Sequence, residues 1–260
     1  YRFTFFAGVN TLFNALLNDP NFGRLDFSAL KITLGGGMAV QKAVADRWAE
    51  VTGKPLIEAY GLTETSPAAT MNPLNLKEYN GAIGLPVPGT DVTIRDDAGK
   101  DLGVGQAGEL CVRGPQVMHG YWNMPKETAA TLDPDGWLRT GDIATLDDYG
   151  YLKIVDRKKD MIIVSGFKVF PNEVEAVLTS HAEVLEAGCV GVVDEKSGQT
   201  VKAFVVRRSQ STVTAEALHA FCRENLTGYK VPKHFEFRES LPKTNIGKVL
   251  RRALLEPDAE

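Results

Sequence analysis

An aromatic ring, a hydroxyl group and a carboxylate lie close together in the stretch YGLTE at positions 60–64. The ring of Tyr60 could stack on a nucleotide base, the hydroxyl of Thr63 could contact a phosphate, and the carboxylate of Glu64 could bind Mg²⁺. The apolar segment 55–60 is predicted to be a strand, and ligands of open α/β sheets bind at the C-terminal ends of strands. Because Thr and Glu are also common in loops, the spacing alone does not decide between a site and an ordinary loop.

Three consecutive glycines at 35–37 form a second candidate ligand-binding segment. They follow a predicted strand at 30–34 and precede a helix that is predicted from about Val40 to Gly53. Glycines between a strand and a helix N-terminus let a ligand approach backbone N–H groups closely. A tight structural turn would need the same residues, so the pattern fits both interpretations about equally.

Three charged stretches could also serve a nucleotide. Asp142, in the sequence TGD, could present a carboxylate to the two hydroxyls of a ribose, although an ordinary turn would have the same letters. The basic run at 157–159 has the composition of a solvated charge run. Lys248 follows the glycine-bearing loop 241–247 and opens a predicted helix at 248–255, where an exposed lysine is the usual finding. Taken singly, these patterns favour the ordinary interpretation.

One motif match can be set aside. The segment 103–108 reads GVGQAG and fits the dinucleotide-binding pattern GxGxxG letter for letter. It precedes a predicted strand at 108–113 instead of following one, and no predicted helix begins from it. The strand–turn–helix context that this motif needs is therefore missing, and the segment is predicted to be a loop.

Length and composition are those of a globular protein with one large or two modest domains. The 260 residues are 43% hydrophobic and 24% charged. No apolar run approaches the roughly 20 residues that span a bilayer. The net charge of −4 argues against a nucleic-acid partner. The three cysteines and four histidines are scattered, which indicates neither a disulfide framework nor a thiolate metal site and fits a reducing cytoplasm.

The order of predicted elements indicates an α/β and α+β fold. Residues 1–80 contain a strand, a glycine turn, a helix and a second strand, as in half of an α/β unit. Short strands between turns follow at 81–155 and predict a small β subdomain that completes a large domain at 1–155. The charged segment 156–160 is typical of a linker and is predicted to be a hinge. Beyond it, residues 161–260 are predicted to form a mobile α+β domain.

Five motifs, taken in order, change this assessment: GGGM, YGLTE, GWLRTGD, DRKKDMIIVSGFKVFPNEVE and PKTNIGK. Together they resemble the acyl-adenylate-forming (AMP-binding) superfamily of acyl-CoA synthetases, luciferases and peptide-synthetase adenylation domains, over nearly all of the chain. The segments DRKKD and LTGYK look most like those of bacterial long-chain fatty-acid–CoA ligases. In such enzymes a fatty carboxylate attacks the α-phosphate of ATP to give acyl-AMP, and the thiol of coenzyme A then displaces AMP.

The resemblance implies a role for each motif residue. Tyr60 would stack on adenine, Thr63 would hold phosphate and Glu64 would coordinate Mg²⁺. Asp142 and Arg157 would hold the ribose hydroxyls. The implied nucleotide site, with the glycines that line the adenine and acyl pocket, comprises Gly35, Gly36, Gly37, Tyr60, Gly61, Thr63, Glu64, Asp142 and Arg157.

Three further roles follow from the resemblance and concern the small domain. Lys159 would match the hinge position, Gly166 would approach the pantetheine arm of coenzyme A, and Lys248 would match the lysine that bridges the acyl carboxylate and the α-phosphate. The implied catalytic residues are Lys248, Thr63 and Glu64, with ATP, Mg²⁺ and coenzyme A as cofactors. Because Lys248 and Gly166 serve different steps, rotation about the hinge would have to alternate them.

The resemblance also sets expectations about the extent and surroundings of the chain. No Ser/Thr/Gly-rich phosphate loop precedes GGGM, so the chain is expected to be about the C-terminal half of an enzyme and to be inactive alone. A cytoplasmic location is expected, with peripheral contact at the inner membrane because the substrate would be fatty. Three alternatives stay open: a non-catalytic nucleotide- or partner-binding module, a ligase for aryl or medium-chain acids, and a luciferase-type oxygenase. Acyl chain length and oligomeric state are not indicated by the sequence.

Overall fold

The computed structural model describes residues 2–244 and 247–256. The chain divides into two compact units, with the division between Ile154 and Val155. The predicted domain bounds and the hinge at 156–160 stay predictions, because compactness alone says nothing about motion.

The first unit begins with an α/β sheet, for which five strands lie among the described residues. In spatial order the strands are β1 (Phe5–Gly8), β2 (Ile32–Gly35), β3 (Leu56–Gly61), β4 (Ala68–Met71) and β5 (Leu85–Pro86). The first three are parallel, and each of the later two pairs antiparallel with its neighbour. The helices are α1 (Asn10–Asn18) and α2 (Lys42–Thr52). The predicted succession of strand, glycine turn, helix and strand is therefore confirmed.

Aromatic side chains form the core beside this sheet. Trp48 of α2 is 1% exposed, stacks on Phe6 at a ring separation of 5.8 Å and meets Phe13 of α1 edge-on at 4.8 Å. Its indole N–H donates to Thr33 Oγ1 at 3.2 Å, so burial does not leave the donor unsatisfied. The helix ends before Gly53, whose φ of +70° suits a glycine cap. These contacts fix α2, and with it the glycine turn that precedes α2.

An antiparallel sheet follows. Its strands are β6 (Asp91–Arg95), β7 (Gly108–Arg113), β8 (Leu138–Leu146) and β9 (Leu152–Arg157), and α3 (Pro125–Thr131) lies in the connection from β7 to β8. The division between the two units falls within β9. This sheet is the predicted β subdomain. Residues 103–107 form the loop that leads into β7, and no helix begins from it, as the sequence predicted.

The charged segment after Val155 is more ordered than the sequence indicated. Asp156 and Arg157, which the sequence assigned to a linker, belong to β9. Asp156 is 1% exposed, and its carboxylate accepts hydrogen bonds from the backbone N–H groups of Arg157 and Asn172, each at 2.7 Å. A buried aspartate with these partners is compatible with a strand, and the 3-10 turn that follows is confined to Lys158–Asp160.

The second unit is an α+β domain. Its elements are β10 (Ile162–Val164), β11 (Phe167–Val169), α4 (Pro171–Ser180), β12 (Val184–Asp194), β13 (Gly198–Arg207), α5 (Ala215–Asn225) and β14 (His234–Arg238). The strands lie in the order β11, β10, β13 and β12, with β14 pairing parallel to β13. Pro171 is the first residue of α4, and Thr214 caps α5 by accepting from the Ala217 N–H at 3.3 Å. Buried Leu178 and Leu218 pack these helices into the core.

The end of the chain departs from the predicted helix at 248–255. Only Arg251–Leu255 is helical, as a short 3-10 helix, and Lys248 lies in the loop before it. Gly247 has a φ of +83°, and the carbonyl of Lys248 accepts a hydrogen bond from the Thr244 N–H at 2.8 Å. In an α-helix that began at Lys248, this carbonyl would accept from the residue four positions later, whereas here it accepts from a residue four positions earlier and closes a turn. The helix prediction was wrong for the residues before Arg251.

The described residues combine an α/β sheet, a small antiparallel subdomain and an α+β unit, which confirms the predicted fold class. Within residues 2–244 and 247–256, no helix has both the length and the apolar composition needed to cross a membrane.

Candidate functional site

Asp142 lies in a bulge of β8, and the alternative of an ordinary turn was wrong. The register between β7 and β8 shifts between Glu109 and Cys111, opposite the TGD letters. At the bulge, Gly141 adopts a φ of +71°, which glycine tolerates best. The Gly141 N–H donates to Glu109 Oε1 at 3.1 Å, and the Asp142 N–H donates to Thr140 Oγ1 at 3.1 Å. These bonds fix the backbone that carries the Asp142 carboxylate.

The side chains of Tyr60 and Asp142 meet although they are 82 residues apart in sequence. The hydroxyl of Tyr60, near the end of β3, donates to Asp142 Oδ2 at 2.7 Å. Asp142 is 4% exposed, whereas Tyr60 is half-buried. The contact brings together the two residues that the resemblance places at the base and at the ribose of one nucleotide. This geometry fits a shared nucleotide site, and the two roles stay predictions.

The loop after Tyr60 is held by a threonine that sequence reasoning did not single out. Thr65 is fully buried, and its hydroxyl accepts from the Leu62 N–H at 2.8 Å and donates to the Pro67 carbonyl at 2.5 Å. Thr63, in contrast, is exposed on the 3-10 turn Thr63–Thr65, as a phosphate contact requires. The signal in the sequence was the pair Thr63 and Thr65, which are separated by one residue. In a tight turn two such side chains can point to opposite sides, so that one packs inside the protein and the other faces a ligand.

Glu64 is oriented by a tyrosine that the sequence also did not reveal. The hydroxyl of Tyr121 donates to Glu64 Oε1 at 2.7 Å, and this hydrogen bond is the main reason why the pKa of Tyr121 is raised. The Glu64 carbonyl accepts from the Met118 N–H at 2.9 Å. Within the part of the chain that the structure describes, no group of three His, Cys, Asp or Glu could hold a metal. A single carboxylate fits Mg²⁺ that is held mainly by substrate phosphates and water.

The glycines at 35–37 occupy positions where a side chain would be crowded or would strain the backbone. A Cβ on Gly35 would come within 2.5 Å of Leu56 Cδ2, and a Cβ on Gly36 would come within 3.2 Å of the Ala59 carbonyl. Gly37 has a φ of +75°. The structural interpretation of this run is therefore sufficient by itself. The predicted role of these glycines in lining an adenine and acyl pocket stays a prediction.

A buried glutamate supports the segment after the glycine turn. Glu58 of β3 is 5% exposed, and its Oε1 accepts from the Val40 N–H at 3.0 Å. Burial raises the pKa of Glu58 to about 7, and the hydrogen bond from Val40 only partly opposes this shift. Tyr79 donates to the Val40 carbonyl at 2.7 Å, so both backbone groups of Val40 are held. A lone carboxylate inside the apolar strand LIEAY was the signal that the sequence offered.

We expect Glu58 to make the first unit less stable as the pH rises. Its pKa is about 7 in the folded protein against an ordinary value of 4.5. The folded state therefore keeps a proton that the unfolded state releases, and this stabilisation is complete below pH 4.5 and lost by about pH 7. At about 1.4 kcal/mol for each pH unit, the loss is about 3 kcal/mol. Glu58→Gln cannot titrate, so it should gain this amount relative to wild type across the same range.

Tryptophan fluorescence can follow this unfolding, because Trp48, Trp122 and Trp137 all belong to the first unit. Glu50→Gln, at an exposed position of α2, is the matched control and should differ from wild type equally at both ends of the pH range. A Glu58→Gln variant whose difference from wild type does not change with pH would contradict the prediction.

Gly166 occupies the tight turn between β10 and β11 in the second unit. Ser165 and Gly166 have φ values of +51° and +84°, which is the conformation of a two-residue type I′ hairpin turn. A Cβ on Gly166 would meet no atom within 4 Å, so packing within this unit does not explain the glycine. The open position is compatible with the predicted contact to a pantetheine arm.

The other candidate residues of the second unit lie on separate segments. Arg157 ends β9, Lys159 is exposed in the turn after it, and Lys248 is exposed in the loop before the last 3-10 helix. Asn245 and Ile246 of the motif PKTNIGK lie outside the described residues. The shared ribose role of Asp142 and Arg157 stays a prediction, because the two residues belong to different units.

The glycine turn and the YGLTE loop follow the C-terminal ends of two adjacent parallel strands, β2 and β3, as a ligand site does in an α/β enzyme. Comparison with models of protein families identifies which α/β enzymes this chain resembles. Residues 1–122 match the model of the AMP-binding enzymes, and residues 173–248 match the model of the AMP-binding enzyme C-terminal domain. The chain belongs to the AMP-binding enzymes, and the resemblance inferred from the five motifs is confirmed.

Several individual proteins of known function or structure are similar to this chain. A long-chain-fatty-acid–CoA ligase of Yersinia pestis is 60% identical over 260 residues, which is 100% of this chain and 46% of that protein. The crystal structure of ATP-bound MatB from Rhodopseudomonas palustris gives a TM-score of 0.89 at 33% identity, covering 98% of this chain and 51% of that one. The o-succinylbenzoate CoA synthetase MenE of Bacillus subtilis, in complex with the acyl-adenylate OSB-AMP, gives 0.85 at 33% identity with the same coverage. The chain thus spans about half the length of these relatives.

Proposed function

We propose that this protein is a long-chain fatty-acid–CoA ligase, which forms acyl-AMP from a fatty acid and ATP with Mg²⁺ and then transfers the acyl group to coenzyme A. AMP and pyrophosphate would be the other products. One observation carries the proposal, namely the 60% identity with such a ligase along the whole chain. The contact between Tyr60 and Asp142 supports it, because an adenosine needs a stacking face and a carboxylate close together.

In this proposal the first unit binds the nucleotide. The ring of Tyr60 packs on adenine, and its hydroxyl keeps the Asp142 carboxylate in place for the ribose hydroxyls. Thr63 contacts phosphate from its exposed position. Glu64 would hold Mg²⁺, which neutralises phosphate charge when it is bound. The hydroxyl of Tyr121 orients the Glu64 carboxylate through its 2.7 Å hydrogen bond.

The second unit would supply different groups to the two steps. Lys248 offsets the repulsion that arises when the anionic acyl carboxylate approaches the anionic α-phosphate. Gly166 gives the pantetheine arm of coenzyme A a place without side-chain obstruction. Because the two residues lie on separate loops, we expect the second unit to change its orientation between the steps, with Lys159 at the pivot.

The proposed function is tested by the products of the complete protein. Palmitate, ATP, Mg²⁺ and coenzyme A should yield palmitoyl-CoA together with AMP and pyrophosphate. Faster turnover of an aryl or medium-chain acid would contradict long-chain specificity and assign the protein to the alternative ligase class. Nucleotide binding without any thioester product would contradict the enzymatic function and identify a non-catalytic binding module.

The same assay addresses the 260 residues alone. No Ser/Thr/Gly-rich phosphate loop occurs before Gly35, so these residues by themselves should give no fatty-acid-dependent ATP–pyrophosphate exchange. Exchange by the complete protein under identical conditions is the control. Robust exchange by the 260 residues would show that the triphosphate is held by groups other than such a loop.

A further inference from the structure

The guanidinium of Arg251 connects three segments of the second unit that are far apart in sequence. It donates to Asp156 Oδ1 at 2.9 Å, in β9, and to Asp160 Oδ2 at 3.1 Å, in the turn that follows. On α4, Glu175 accepts two hydrogen bonds at 2.8 and 2.7 Å, and Asn172 Oδ1 accepts another. The Arg251 side chain is 10% exposed, so these bonds form largely out of water.

Charge and geometry keep the guanidinium at this junction. Burial opposes the charge of Arg251, but the hydrogen bonds and charge of Glu175, followed by the charges of Asp156 and Asp160, hold its pKa above the usual range. The planar fork of an arginine presents five donors in a fixed arrangement, which the rotating ammonium group of a lysine cannot reproduce. Without this guanidinium, the buried carboxylate of Asp156 would lose its cationic partner.

A cavity of about 340 Å³ lies beside Arg251, and its lining includes Lys159 and Leu255. Side chains make no van der Waals contacts across such an empty space, so on this side the hydrogen bonds of Arg251 are the specific connection between the segments. The opposite side of the same terminal segment is held by apolar packing, since Val249 and Leu254 lie against residues of β12 and β13.

Lys248 lies three residues before Arg251, on the loop that ends at this anchor. We propose that Arg251 is a positioning residue for Lys248. By binding Asp160, which follows the Lys159 pivot, and Glu175 of α4, it fixes the lysine loop to the body of the second unit, so that the lysine reaches the adenylation site when that unit turns. The inference rests on the proposed function. It assigns Arg251 no part in thioester formation, because Gly166 lies on a different turn.

The test compares Arg251→Met with Arg252→Met in the complete protein. Arg252 is the exposed neighbour in the same short helix, so the two variants change composition and charge equally. Arg251→Met should lower the kcat of fatty-acid-dependent ATP–pyrophosphate exchange by about 10- to 100-fold, as displacement of a reacting group by about 1 Å does. The KM for ATP should not change. Acyl-CoA formation from supplied acyl-AMP should match that of Arg252→Met.

A purely structural role would affect both half-reactions together, because Lys248 and Gly166 belong to the same unit. Parallel loss of both rates in Arg251→Met would therefore overturn the proposal, and so would exchange equal to that of Arg252→Met. A wild-type protein without exchange would instead contradict the proposed function, so the two failures are distinguishable.

A milder variant keeps the test decisive if Arg251→Met does not fold. Asp160→Asn removes one charge from a side chain that is 25% exposed and leaves Asp156 and Glu175 in contact with the guanidinium. It should reduce exchange selectively but less than Arg251→Met. Equal rates for Asp160→Asn and wild type in both half-reactions would then overturn the proposal.

Discussion

Lys248→Ala should stop acyl-AMP formation by the complete protein almost entirely and leave thioester formation from supplied acyl-AMP intact. Adenylation brings an anionic carboxylate up to an anionic phosphate, and a cation held at that point offsets the repulsion. Such a preorganised contact is typically worth about 3–4 kcal/mol, or about 10²–10³ in rate. Because the Lys248 side chain is exposed on its own loop, its removal should change stability by at most about 1 kcal/mol.

Two assays separate the half-reactions: fatty-acid-dependent ATP–pyrophosphate exchange, and release of AMP from supplied acyl-AMP by coenzyme A. Lys243→Ala is the matched control, because Lys243 lies in the same loop, is 41% exposed and pairs with Glu186. The control should change neither rate. Equal loss of both half-reactions in Lys248→Ala would count against the assignment of Lys248 to adenylation.

Gly61→Ala should destabilise the first unit and weaken nucleotide binding. A Cβ at Gly61 would lie 1.7 Å from the carbonyl oxygen of Pro67 and 3.0 Å from the Cα of Ala68. Both obstacles are backbone atoms, which no change of rotamer can move, so we expect a loss of about 3 kcal/mol or more. The backbone shift that relieves the clash would move Tyr60 away from Asp142. Thermal unfolding, followed by tryptophan fluorescence, and the KM for ATP of the complete protein measure the two effects.

Gly23→Ala is the matched control for this substitution. No atom lies within 4 Å of a Cβ placed at Gly23, and its backbone is not in the left-handed region, so its effect should stay within about 0.5 kcal/mol. A Gly61→Ala protein with the unfolding midpoint and the KM of wild type would contradict the prediction. It would show that the backbone between β3 and β4 can shift to accommodate the added Cβ at little cost.

Local chemistry explains what the sequence predicted correctly. The strand before the glycine turn, the helix that ends at Gly53 and the strand that follows this helix each depend on residues that are close together in the chain. Their identities therefore appear in short stretches of sequence. The order of the five motifs added the family, because an ordered set of short patterns is far more specific than any single one.

Contacts between residues that are far apart in the sequence could not be predicted from short motifs. Tyr60 meets Asp142 across 82 residues, Glu64 meets Tyr121 across 57, and Arg251 meets Asp156 across 95. No local pattern encodes such pairs, since each depends on how whole strands and loops come together.

The sequence by itself determined the kinds of elements, their order, the family and the residues that could bind a nucleotide. Only the tertiary structure decided that TGD is a bulge within β8, that Lys248 precedes a short 3-10 helix, and that Glu58 has a pKa of about 7. The physical reason is the same in each case. Register shifts, turn closure and loss of hydration are set by the neighbours that folding brings near a residue, and those neighbours come from remote parts of the chain.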